Sequence, residues 1–172
     1  RFMLVPARKG GDALLPAGCD IVPVDELDLG TEDRYMVSRL AAAIDVCAAG
    51  LDTFNLADAA NAAHGFFLGD LCDFYIERAK PILRTPDDAA PDAIAERTRT
   101  RSVLLACLEC SLRMLHVFMP FVTEELWQHL KLRHPSVCAP AESIMLAPFP
   151  EPGNTPFAAD ADAERDTRLA GD

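Results

Sequence analysis

The chain is 172 residues long, half of them hydrophobic and a quarter charged, with a formal net charge of −11. This is enough apolar material for one packed domain and rules out a disordered polar chain. No apolar run approaches the roughly 20 residues a membrane helix needs, and the net acidity opposes non-specific attraction to nucleic acid unless basic residues gather locally.

Residues 1–30 contain Gly10-Gly11 and three prolines and show no sustained period, so they are expected to be a linker or the remnant of a preceding helix. The first long helix is expected over 32–49. Thr31 is placed as its N-cap, with Glu32 and Asp33 in the first turn, where carboxylates favour the positive helix end. Gly50 is placed as its stop. A second helix is expected over 56–79, capped by Asn55, with Leu56, Ala60, Ala63, Phe67, Leu71 and Phe74 recurring at helical spacing. Gly65 and Gly69 lie inside it, four residues apart, where another backbone is expected to approach. Arg84 to Pro91 reads as a loop.

The third helix is expected over 92–118, with Leu104, Cys107, Ser111, Leu115 and Phe118 as its stripe and Glu109 and Arg113 as a weak i, i+4 pair. The fourth, over 120–131, begins at Pro120, with Glu124 and Glu125 loading its first turns, and ends before Pro135. The proline-rich stretch after Pro140 is expected to be extended. Residues 153–172 read as an acidic tail or the start of a further charged helix. With no competing strand pattern, long helices and short loops predict an all-α, up-and-down bundle over 31–152. Its core is expected to include Phe67, Leu71, Phe74, Leu104, Leu108, Leu115 and Phe118.

No catalytic constellation and no glycine-rich phosphate loop stands out. Cys107 and Cys110 have the spacing of half a zinc site, but 18 residues separate Cys110 from His129 and the pair lies mid-helix, so no metal is expected. The six cysteines are expected to be reduced thiols, as in the cytosol, because the chain is long and core-rich. His64 and His116 are expected to be satisfied core or boundary residues. The first helix is more suggestive. Arg34, Tyr35, Ser38 and Arg39 combine arginines with an aromatic ring, a set that hydrogen-bonds and stacks on unpaired RNA bases. A solvated face with a half-buried Tyr35, and Arg39 paired to an internal carboxylate, is the competing reading.

Four stretches carry a family resemblance. Met119-Pro-Phe-Val-Thr-Glu-Glu-Leu-Trp-Gln128 is similar to the signature that follows the long helix in the anticodon-binding domain of valyl-tRNA synthetases. Asp33-Arg-Tyr-Met-Val-Ser-Arg-Leu40 resembles that domain's opening Asp-Arg-Trp-Ile-Leu-Ser-Arg-Leu. Leu71-Cys-Asp-Phe-Tyr-Ile-Glu-Arg-Ala-Lys-Pro81 and Ser143-Ile-Met-Leu-Ala-Pro-Phe-Pro-Glu-Pro152 resemble its later segments. Tyr35 and Phe74 stand where the family commonly has Trp. The isoleucyl and leucyl enzymes share the fold and a looser form of the Pro-Phe-x-x-Glu-Glu element, and the cysteine-bearing segments look most like the cytosolic eukaryotic branch.

The resemblance implies a class Ia anticodon-binding bundle that recognises the anticodon stem of tRNA(Val), with Arg34, Tyr35, Ser38 and Arg39 as tRNA-binding residues. It implies no catalytic residue, metal or cofactor in this chain. ATP with Mg, valine activation and editing would belong to a catalytic body outside it, so the chain alone is expected to be inactive. Its partners would be tRNA(Val), the catalytic domain and a C-terminal coiled coil, in the cytoplasm and away from membranes. A helical bundle that only contacts proteins is the alternative from another class. Since the chain opens on Arg1-Phe2-Met3, it is expected to be a fragment.

Overall fold

The computed structural model describes residues 15–16, 19, 21–138 and 140–151. The helices are α1 (Thr31–Asp52), α2 (Leu56–Gly65), a π-helical segment (Phe66–Tyr75), α3 (Ile76–Leu83), α4 (Pro91–His116) and α5 (Pro120–Arg133). Short 3-10 turns lie at Val24–Glu26 and Ile144–Leu146, and no strand occurs among the described residues. The expected all-α bundle is the fold of the chain. The expected acidic tail after residue 152 and most of the expected N-terminal linker fall outside the described residues.

α1 and the helical run from α2 to α3 form one antiparallel hairpin. Gly50 faces Ala59, Arg39 faces Asp70, Tyr35 faces Phe74, Asp33 faces Tyr75 and Glu32 faces Arg78. Three expectations about its ends change. Gly30, not Thr31, is the N-cap of α1. Gly50 does not stop α1, which runs on to Asp52. A Cβ at Gly50 would lie 2.9 Å from the Ala59 nitrogen and 3.0 Å from the Asn55 carbonyl oxygen, so the missing side chain is what lets α2 close onto α1. Gly65 and Gly69 were expected to allow such an approach, yet nothing lies within 4 Å of a Cβ built at either. Asn55 caps α2 as expected, its side chain accepting from the Asp58 N–H at 3.4 Å.

The π-helical segment corrects the expected core. A regular helix would stack Phe67, Leu71 and Phe74, but i→i+5 bonding takes more residues per turn and rotates the inward positions. Phe66, Leu71 and Tyr75 are buried instead, and Phe67 and Phe74 rest half-buried against the core. Phe118 is also half-buried, just past α4. Leu71, Leu104, Leu108 and Leu115 are core residues as expected. The run continues through Pro81 to Leu83, four residues beyond the expected end.

Long-range polar contacts fix the helices against one another. The buried Asp33 carboxylate accepts from Tyr75 Oη of the π segment and from Arg99 Nε of α4 at 2.8 Å. Burial, then the Asp33 charge, pushes the Tyr75 phenol well above its ordinary range. Arg97 folds back on the loop before α4, bonding the Thr85 carbonyl and pairing with Asp87 at 2.7 Å. Glu124 of α5 accepts from Gln128 Nε2 at 2.7 Å, Ser143 Oγ at 2.8 Å and the Ile144 N–H at 3.1 Å. Burial raises its pKa, but these bonds and the His116 charge outweigh that and hold it below the usual range. Trp127, one turn on, is wholly buried.

Candidate functional site

The four sequence candidates near the start of α1 end up in different environments. Arg34 is exposed. Tyr35 packs edge-on to Phe74, with ring centroids 5.2 Å apart. Arg39 forms a two-point pair with Asp70, Nε–Oδ1 at 3.2 Å and Nη2–Oδ2 at 3.1 Å. The competing reading of Tyr35 and Arg39 therefore describes their contacts here. Ser38 is corrected outright: it is fully buried, and a hydroxyl on the core side of α1 offers nothing to a ligand at the surface.

The hairpin adds partners that sequence spacing did not reveal. The Arg78 guanidinium lies 4.8 Å above the Phe74 ring, a cation–π arrangement, and also pairs with Glu32 at 2.8 Å. Tyr35, Phe74 and Arg78 thus form one contact chain across the hairpin, edge-on from Tyr35 to Phe74 and cation over ring from Arg78 to Phe74. Antiparallel pairing brings Glu32 and Tyr35 of α1 against Arg78 and Phe74. Arg39 and Asp70 have side chains 34% and 17% exposed, and Arg78 and Glu32 38% and 42%. The Arg78–Glu32 pair is the more open of the two, and ion pairs that water reaches contribute little to stability.

Phe54, which sequence reasoning missed, occupies the far tip of the same hairpin. It is 88% exposed and is the one non-glycine described residue with positive φ, at 58°. Holding a bulky side chain in the left-handed region costs energy, and such outliers concentrate at functional positions. The available signal was an aromatic ring between the end of one helix and the cap of the next, off the apolar stripe of both.

Cys107 and Cys110 are poorly suited to nucleophilic or metal chemistry. None of the six cysteines is bonded to another. Burial, then the neighbouring Glu109, pushes the Cys110 thiol up to about 12, and Cys107 is raised by burial and by Cys110. Neither readily becomes the thiolate a metal or an electrophile needs. His116 is a satisfied boundary residue, Nδ1 lying 2.8 Å from Thr123 Oγ1, whereas His64 is exposed. Glu124 is more than a helix-start residue, since it bridges α5 to the closing turn.

The family description "anticodon-binding domain of tRNA ligase" matches residues 33–170. The chain is 40% identical over 138 residues to a valine–tRNA ligase of Rattus norvegicus, covering 80% of this chain and 10% of that protein. It is 41% identical to one of Geobacter sulfurreducens, covering 76% and 14%. It is 40% identical to a mitochondrial valine–tRNA ligase of Homo sapiens, covering 74% and 11%. Animal, bacterial and mitochondrial relatives stand at nearly equal identity, which does not single out the eukaryotic cytosolic branch. The chain spans about a tenth of the length of the first of these relatives.

Proposed function

The chain belongs to the anticodon-binding domain family of tRNA ligases, and from that premise we propose that it binds the anticodon arm of tRNA(Val) as part of a valine–tRNA ligase. The observation that carries this reading is the Arg78–Phe74–Tyr35 contact chain, with Arg34 and Arg39 on the helix of Tyr35, on a domain whose relatives carry that name. Arg34 and Arg39 contact phosphates or base edges, Tyr35 and Phe74 offer ring edges and faces, and Ser38 supports α1 from the core side. Phe54 presents a second ring at the hairpin tip. ATP with Mg, valine activation and editing are the work of the catalytic body, and this domain contributes position and identity. We place the protein in the cytoplasm, where free thiols persist. No helix among the described residues is long and apolar enough to cross a membrane.

The test uses the full-length ligase. Arg34→Ala is expected to weaken tRNA binding and lower the log–log salt slope by about one unit. Tyr35→Ala is expected to cost about 1–3 kcal/mol with the slope unchanged. If both leave affinity and slope as in the parent, the face is wrong. Equal binding of valine and non-valine transcripts would favour a sister enzyme or a pure interaction bundle.

A further inference from the structure

Two turns at one end of the bundle share a charge pattern. Neither residues 40–77 nor residues 114–130 contain a lysine or an arginine. α4 starts beside the start of α1, where Arg99 meets Asp33, and farther along it packs against α2. The turn from α4 into α5 therefore lies toward the end of the bundle where α1 turns into α2. Asp45, Asp52, Asp58 and Glu125 are exposed in these stretches. Arg113, the nearest cation before the α4–α5 turn, folds back onto the buried Glu109 and the Pro148 carbonyl. Helix ends add no net sign, because α1 and α4 finish at this end while α2 and α5 begin there.

The α4–α5 turn is also apolar. Val117-Phe-Met-Pro-Phe-Val122 is an unbroken run. Phe121 is 89% exposed, and Val117, Met119 and Val122 are each roughly half-exposed. Pro120 takes the first helical position of α5, which turns Thr123 and Trp127 inward and leaves Phe121 and Val122 on the outer side. Consecutive exposed apolar residues rimmed by polar ones mark an interaction site.

Charge selects what covers it. RNA phosphates would meet carboxylates, with no lysine or arginine in either stretch to neutralise them. A second copy docked through the same end would set acid against acid. A partner with cations around an apolar stripe satisfies both features, and an amphipathic helix carries the two together.

We propose that the α4–α5 turn docks a basic amphipathic helix of another protein, whose apolar stripe covers Phe121 and Val122 and whose lysines or arginines lie toward the carboxylates of this end. The surface is distinct from the face of Arg34, Tyr35 and Arg39, so the ligase holds tRNA and this partner together.

The test uses the full-length ligase and a fluorescein-labelled peptide of about 18 residues, with leucine on one helical face and lysine on the rest. A control isomer has the same composition with the leucines spread around the helix. Anisotropy titration is expected to show saturable binding of the amphipathic peptide, about tenfold tighter than of the isomer. Phe121→Ser is expected to weaken that binding about tenfold while tRNA binding and the melting curve stay as in the parent. Glu125→Gln is expected to flatten the salt dependence of peptide binding. No saturable binding, equal binding of the two isomers, or peptide binding unaffected by Phe121→Ser or by Glu125→Gln would each overturn the proposal. So would displacement of the peptide by tRNA, which would assign the turn to the RNA face. A parent dimer that Phe121→Ser dissociates would make a second copy the occupant and overturn it too. Failure of the tRNA reading shows separately, as a parent ligase that does not bind tRNA, and leaves the docking surface standing.

Discussion

The hairpin of α1 with α2–α3 and the pair α4–α5 use arginine in opposite ways. On the hairpin, Arg39 and Arg78 pair with carboxylates at the surface, where both members remain partly hydrated. On α4, Arg97, Arg99 and Arg113 each form a pair with one member's side chain less than a tenth exposed. Surface pairs contribute about 0–1 kcal/mol each, whereas breaking a buried pair strands a desolvated charge. The α4 arginines are therefore held against carboxylates or beside backbone that water scarcely reaches, and the hairpin arginines are held by carboxylates that stay partly hydrated. The type of residue is the same on both sides, and its surroundings decide what it does.

Removing Asp33 should produce the largest effect and mark the structural side of this contrast. Asp33→Ala strips the partner from Arg99 and from buried Tyr75, and should lower unfolding stability by about 3 kcal/mol or more in urea melts. A loss under about 1 kcal/mol would place Arg99 with the hairpin arginines. Gly50→Ala comes next, costing about 1–3 kcal/mol, because the new methyl meets the backbone of Asn55 and Ala59. Glu124→Gln should cost about 1 kcal/mol by weakening charge-assisted bonds to Ser143 and Ile144 that are partly open to solvent. Because the folded pKa of Glu124 is lowered from 4.5, its contribution is complete above that value and is lost as pH falls through the lower folded value. The parent and Glu124→Gln should therefore differ most near neutrality and converge in acid. A constant gap across pH 2–7 would remove Glu124 from that linkage.

Gly65→Ala tests the hairpin from the other direction. The added methyl enters open space, so stability should rise by about 0.5–1 kcal/mol. A decrease would mean that the π-helical register needs glycine beside it. The smallest stability effect is expected from Arg39→Ala, no more than about 0.5 kcal/mol by thermal or urea unfolding. The same substitution should reduce the salt slope of tRNA binding in the full-length ligase.

Much of the architecture was legible because helical periodicity, proline at helix starts and the Asn55 cap are local signals. Each helical stretch was found with ends displaced by a few residues. The four motif stretches carried the family, and the structure joins them in pairs through Asp33 with Tyr75 and Glu124 with Ser143. The proposed face was half legible: Arg34, Tyr35 and Arg39 were chosen by residue type alone, whereas the exposure of Phe54 and the contacts of Phe74 with Tyr35 and Arg78 were not readable from it. Phe54 signals itself through a backbone angle, and Phe74 through a rotation that a 3.6-residue period cannot anticipate.

The sequence by itself determined which stretches are helical and which family they resemble, because both depend on residues close together along the chain. Only the tertiary structure decided which face of the π-helical segment turns inward, that Gly50 rather than Gly65 or Gly69 admits a neighbouring helix, and that Glu109 is buried. Those outcomes depend on partners far apart in sequence, as with Asp33 meeting Tyr75 and Arg99. Burial and desolvation follow from which surfaces the folded chain brings into contact, and no local period carries that information.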